Sequence, residues 1–297
     1  MAFKSGFVSI IGAPNVGKST LLNALLQQKI AITTTKPQTT RHKIKGILNL
    51  PEMQLIFIDT PGIHEASIEY NKYLVKLAVE TLQEVDVILF MIEPFPWGLS
   101  EGKKIISTYL SQIRVPCILL INKVDKIAKP QLLPIIEEFN KLYPFKATLP
   151  ISAKKQAGLE DILKEIAIYL PEGPRYYPEG LITDITERQL IAEIIREKAI
   201  EYTKEEVPYS IATVVEEYRE IPEKKMVYIG AVIYVEKDSQ KGIIIGKKGK
   251  MIKGIGQMSR KEIENLLGCK VYLELFVRVK SHWRRDPRTW AELGLKQ

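Results

Sequence analysis

Gly12-Ala-Pro-Asn-Val-Gly-Lys-Ser19 has the spacing GxxxxGK[ST]. Such a loop wraps backbone N–H groups around phosphate oxygens, offers a lysine to the outer phosphates and supplies a hydroxyl for one Mg2+ position. Lys18 and Ser19 carry those two side-chain roles, and Gly12, Ala13, Pro14, Asn15, Val16, Gly17 and Thr20 complete the phosphate contacts. Asp59-Thr-Pro-Gly62 could hold Mg2+ through its aspartate and turn the Gly62 N–H towards a terminal phosphate, although the same four residues also make a good turn. In Asn122-Lys-Val-Asp125, a carboxylate can accept both N–H groups on a guanine edge, a pattern adenine does not offer. Ser152, Ala153 and Lys154 would close over the base.

These motifs need a scaffold that delivers loops to one edge. The first 170 residues alternate short apolar runs with helical periodicities, which implies an α/β domain with a mostly parallel sheet. Strands are expected over 7–11, 45–50, 54–58, 87–92, 116–121 and 147–151, and helices over 18–28, 68–84, 101–112, 131–141 and 159–169. The second and third strands are separated by a short link that contains Pro51 and Glu52, so they should pair as an antiparallel hairpin. All four motifs then fall at successive strand ends, in chain order. The apolar N-terminal run leads straight into the glycine-rich loop and reads as a first buried strand, not a signal peptide.

A Pro/Gly-rich stretch over 171–180 breaks this pattern and divides the chain into a domain over 1–172, a linker over 173–184 and a second domain over 185–297. The second domain has the expected order α-β-β-α-α-β. A basic turn, Gly246-Lys-Lys-Gly249, sits between its last two helices. A GxxG turn in that setting can clamp the backbone of single-stranded nucleic acid, with Gly246 and Gly249 allowing close approach and Lys247, Lys248, Lys250 and Lys253 supplying charge. Ile252, Ile255, Ile263, Leu266 and Leu267 read as core, and Trp283 as packing for the tail.

Charge points the same way. Residues 237–288 hold 14 basic and 5 acidic side chains, net +9, whereas residues 180–236 hold 7 and 12, net −5. A basic region that dense suits a polyanion: nucleic acid or an anionic membrane surface. No run approaches the roughly 18 apolar residues of a membrane span. Cys117 and Cys269 lack metal or redox spacing and suit a reducing cytoplasm as free thiols.

The loop GxPNVGKS, the segment Gln38-Thr-Thr-Arg41, the DTPG motif and the second domain together resemble the Era family of bacterial GTPases, in the Era/TrmE-like translation-factor class. The resemblance covers essentially the whole chain. It implies a P-loop GTPase (Ras-like) domain followed by an α+β type II KH domain, with GTP/GDP and Mg2+ as cofactors. It further implies 16S rRNA near its 3′ end and the 30S subunit as partners, a cytoplasmic monomer, and a role in 30S assembly. Thr39 and Thr40 both suit the metal-binding threonine of the first switch; Thr40, directly before the arginine, is chosen, so Ser19, Thr40 and Asp59 form the expected Mg2+ set. Ile63 stands where Ras-like proteins place a water-orienting glutamine, so intrinsic hydrolysis should be slow and no catalytic side chain is assigned. His64 reads as a bystander. Asn15 is the candidate ligand for K+ as a second cation. The alternative is a GTP-gated protein on the inner face of the membrane, held there by its basic C-terminal region.

Overall fold

Apolar runs buried on both faces set the centre of the first sheet. In the computed structural model, which describes residues 2–34, 36 and 39–296, every residue of β4 (Val87–Ile92) and β5 (Cys117–Ile121) is buried. Gln38 of the segment 38–41 lies outside the described residues, as do Thr35 and Pro37. The chain divides into two units: Met1–Ala31 with Thr40–Ser67 and Lys72–Asp184, and Ile32–Thr39 with Ile68–Asn71 and Ile185–Gln297.

In the first unit β1 (Lys4–Gly12) leads through the phosphate loop to α1 (Lys18–Leu26). The hairpin β2 (Ile44–Asn49) and β3 (Met53–Asp59) follows, then α2 (Glu69–Glu80), which begins in the second unit. β4, α3 (Pro96–Thr108), β5, α4 (Leu132–Leu142), β6 (Ala147–Pro150) and α5 (Leu159–Tyr169) complete it. Among the described residues the sheet order is β2-β3-β1-β4-β5-β6. All neighbours are parallel except β2 and β3, which pair antiparallel with Ile44 opposite Asp59, as so short a connection demands. The helix expected from 101 starts five residues earlier, at Pro96. Proline fits the first turn of a helix, where its missing N–H would have no intrahelical partner.

The Pro/Gly-rich stretch is laid along this unit. Ile47 N–H donates to Ile182 O at 2.7 Å and Thr183 Oγ1 to Lys45 O at 2.7 Å. The fully buried Gln54 accepts at Oε1 from the N–H groups of Tyr176 and Tyr177, at 2.8 and 3.0 Å. Segments that cannot form a helix can still extend a sheet edge, and 171–184 does so, reaching Asp184 inside the first unit.

The second unit contains α6 (Glu187–Tyr202), the short α7 (Val207–Ser210), β7 (Ala212–Ile221), β8 (Met226–Val235), α8 (Asp238–Ile245), α9 (Lys250–Leu267), β9 (Lys270–Val279) and α10 (Pro287–Glu292). Thr186 and Gln189 form a capping box that starts α6, and Gly268, at φ 66°, ends α9. Its sheet runs β7-β8-β9, with β7–β8 antiparallel and β8–β9 parallel. Ile195, Ile229, Ile233, Ile255 and Ile263 form the fully buried core beneath the helices. Ile252 and Leu267 are partly buried against that core, but Leu266, expected inside, is 40% exposed. It sits on the flank of α9, where the helical stripe has already turned to solvent. Trp283 is fully buried, donates from Nε1 to Ser210 O at 2.9 Å and meets the Tyr70 ring edge-on at 5.3 Å. The basic tail is therefore anchored by packing.

Candidate functional site

The phosphate loop begins at the end of β1 and closes on the N-terminus of α1. Gly17 takes φ +107°, and a Cβ there would lie 2.4 Å from Nδ2 of Asn122. That approach places the guanine motif directly behind the loop: Asn122 Nδ2 donates to Val16 O at 2.7 Å. Lys123 Nζ donates to Asn15 O at 2.8 Å. Both Asn15 and Lys123 adopt the left-handed backbone region, at φ 64° and 65°. Asn15 itself is exposed, whereas Gly12, Ala13, Pro14 and Val16 are buried.

Lys18 is buried and its Nζ donates to Gly12 O at 3.2 Å and Ala13 O at 3.0 Å. Burial lowers its ammonium to about 8, against the pull of the Asp59 carboxylate. Asp59 shows the mirror effect: burial raises it to about 6, opposed by Lys18 and by the Ser19 and Thr40 hydroxyls. Ser19 Oγ donates to Asp59 Oδ2 at 2.6 Å and lies 2.9 Å from Thr40 Oγ1, which is 3.4 Å from the same oxygen. All three residues expected at Mg2+ thus converge. Asp59 Oδ1 is buried with no hydrogen-bond partner among the described residues, so the carboxylate keeps an acceptor for a cation. An all-oxygen set of two hydroxyls and a carboxylate fits a hard divalent cation completed by phosphate oxygens and water.

Gly62 packs against Pro14, and Ile63 N–H donates to Gly12 O at 3.1 Å, tying the DTPG turn to the loop. The Ile63 side chain is buried. His64 Nδ1 lies 2.8 Å from Gly62 O, and its ring lines a cavity of about 400 Å3 with Glu65, Lys72, Val75 and Tyr109, apart from the phosphate loop.

On the base side Ser152 Oγ donates to Asp125 Oδ1 at 2.6 Å, and this hydrogen bond holds the exposed Asp125 carboxyl below its usual range. The Ala153 N–H donates to Asn122 Oδ1 at 2.9 Å, so this backbone group braces Asn122. Lys154 follows it, exposed.

In the second unit α8 ends at Gly246, at φ +70°, and α9 begins after Gly249, at φ +73°. Lys248 between them also takes the left-handed region, at φ 53°. The turn projects Lys247, Lys248, Lys250 and Lys253 into solvent, and nothing lies within 4 Å of a Cβ built on Gly249. The loop is a cationic edge with open space above one glycine, which is what a sugar-phosphate chain requires.

Two family models match the chain. The family described as "50S ribosome-binding GTPase" matches residues 7–123, and the KH domain family matches residues 206–284. GTPase Era of Geotalea uraniireducens is 50% identical over 292 residues, 98% of each chain. The chain belongs to the Era family of GTPases. GTPase Era of Lactobacillus helveticus is likewise 50% identical, over 98% of this chain and 96% of that one. A crystal structure of Era with MgGDPNP and nucleotides 1506–1542 of 16S ribosomal RNA superposes with a TM-score of 0.95 at 43% identity, covering 99% of this chain and 100% of that one. A point variant of Aquifex aeolicus Era bound to GDP and AlF4− gives a TM-score of 0.94, also at 43% identity.

One residue of this Era-family site escapes motif reading. Glu93 directly follows β4, is buried, and forms an ion pair with Lys123. Its signal in the sequence is a lone carboxylate at the end of an otherwise apolar parallel strand, where ligand-facing groups gather.

Proposed function

We propose that this GTPase is a slow switch of small-subunit assembly that binds 16S rRNA near its 3′ end through the Gly246–Gly249 loop and acts on the 30S subunit, as a cytoplasmic monomer. The observation that carries the reading is a phosphate loop tied to the NKVD motif through Asn122 in one unit and a cationic GxxG turn in the other, in a chain alike over its full length to an Era bound to that RNA. Gly12 to Thr20 would hold the phosphates, with Lys18 at the outer ones. Asp125 would read the guanine edge, Asn122 and Ser152 would brace it, and Lys123, Ala153 and Lys154 would flank the base.

Ser19, Thr40 and Asp59 would hold Mg2+, which supplies charge compensation between the outer phosphates. This chain positions its hydroxyls and carboxylate for that ion and buries Ile63 where a water-orienting amide would stand. With an isoleucine at that position, the electrostatic contribution would come from elsewhere. Asn15, exposed on the loop, would ligate K+ on the phosphate side, in the place of an arginine whose worth is ~10³-fold or more. Hydrolysis measured in K+ and in Na+ at matched ionic strength tests this. Faster turnover in K+, lost in Asn15→Ala, is expected; equal wild-type rates would contradict it.

A peripheral contact with the inner face of the membrane would draw on the same basic region over 237–288. No described helix is long and apolar enough to cross a membrane. Binding to a 3′-terminal 16S fragment, a scrambled RNA of equal length and anionic vesicles, each with the GDPNP-loaded protein, separates the readings. Preference for the 16S fragment supports the proposal, and vesicle binding without RNA selectivity would replace it.

A further inference from the structure

We propose that Glu93 is a positioning residue for the nucleotide, acting through Lys123 to hold the phosphate loop at Asn15. Lys123 Nζ stands between two acceptors from different elements: the Glu93 carboxylate after β4 and the Asn15 carbonyl in the loop, the latter at 2.8 Å. The Glu93 side chain is 11% exposed and the Lys123 side chain 26%. A shielded carboxylate of that kind is held at a cost unless it is paired and hydrogen-bonded, so its retention points to a geometric task.

The surroundings leave Glu93 little choice of direction. Gly98, in the first turn of α3, lies so close that a Cβ there would stand 2.3 Å from Glu93 Cγ and 2.8 Å from its carbonyl oxygen. Any larger residue would push the carboxylate off its path. The first turn of α3 is therefore shaped around this side chain.

The strut supports strained backbone. Asn15 and Lys123 are non-glycine residues at φ 64° and 65°, conformations that persist where neighbours over-determine them. Asn122 fixes the loop at Val16, next to Asn15. Without Glu93, the Lys123 ammonium keeps one acceptor, the Asn15 carbonyl, but loses the anion that aims it, and the Asn15 end of the loop is freed to open. The expected consequence is faster escape of bound nucleotide. A charge-assisted hydrogen bond of ordinary strength corresponds to ~10-fold or more in a rate of this kind.

The test follows release of N-methylanthraniloyl-GDP from the full-length protein and from Glu93→Ala, Glu93→Gln, Glu93→Asp, Lys123→Met and the double variant Glu93→Ala/Lys123→Met. Glu93→Ala and the isosteric Glu93→Gln should each release the nucleotide ~10-fold faster, with partial recovery in Glu93→Asp. In the Lys123→Met background Glu93→Ala should add less than 2-fold, because the path runs through that lysine. Wild-type release from Glu93→Gln, or effects of Glu93→Ala and Lys123→Met that multiply independently, would overturn the proposal. A purely structural role lowers thermal stability but leaves that coupling absent.

Discussion

Asn122 donates its side-chain N–H to the main-chain carbonyl of Val16, so the residue opening the guanine motif also fixes the phosphate loop. The segment proposed to read the base and the one proposed to hold the phosphates are thereby joined directly. The side-chain acceptor of Asn122, Oδ1, takes the N–H of Ala153, which ties in the loop after β6 as well. A buried amide with its donor and acceptor both satisfied by backbone is expensive to disturb.

Gly17→Ala should therefore abolish tight binding of GTP and GDP alike. Its φ of +107° is unfavourable for alanine, and the new methyl would meet Asn122 Nδ2 at 2.4 Å. Displacing Asn122 unpairs Val16 O, so a loss of at least ~100-fold in affinity for both nucleotides is expected from strain and the broken buried bond together. Equilibrium titration with fluorescent GDP and GTP analogues checks it.

Asp125→Asn should shift base preference and spare phosphate binding. The carboxylate is exposed and oriented by Ser152 Oγ at 2.6 Å. An amide in its place presents a donor to the guanine 2-amino group, whereas a xanthine base offers an acceptor there. Competition between GTP and xanthosine triphosphate should show weakened GTP binding and a relative gain for the xanthine nucleotide, by ~10-fold or more for a matched hydrogen-bond pair.

Asp59→Asn should stabilise the nucleotide-free protein while removing its response to Mg2+. The rise of Asp59 from 3.8 to about 6 means that the ionised form is disfavoured in the fold by up to about 3 kcal/mol. A neutral amide of the same shape avoids that cost, at the expense of the metal site. Thermal melts of empty protein at pH 8 should show a higher midpoint for the variant. GDPNP affinity should lose its Mg2+ dependence.

Much of this site could be read from spacing alone, because phosphate loops and guanine motifs are local sequences and the strands that carry them are strongly apolar. Lys18, Ser19, Asp59 and Asn122 all stand at the loops where strand order alone would put them. The convergence of Thr40 on Ser19 and Asp59 rested on family resemblance, since Thr39 satisfies the same local chemistry. Glu93 was invisible to motif reading because its partner lies thirty residues on and neither residue's type reveals the pairing. The segment 171–184 misleads in another way: proline and glycine exclude a helix there, but they do not exclude edge pairing, which depends on Gln54 and Ile47 far upstream. Leu266 shows the limit of periodicity, since an apolar residue one step off the buried stripe looks like core until the helix is placed.

One unit would handle guanine nucleotide while the Gly246–Gly249 loop of the other would grip ribosomal RNA. Cross-linking the GTP-loaded protein to total cellular RNA, then sequencing the attached fragments, tests this division, with Lys247→Glu/Lys248→Glu run in parallel. Fragments concentrated at the 3′ end of 16S rRNA are expected for the wild type, with their loss in the double variant and RNA-free GTP hydrolysis retained. Fragments spread over all RNAs in proportion to abundance, or an unchanged 16S peak in the double variant, would contradict it.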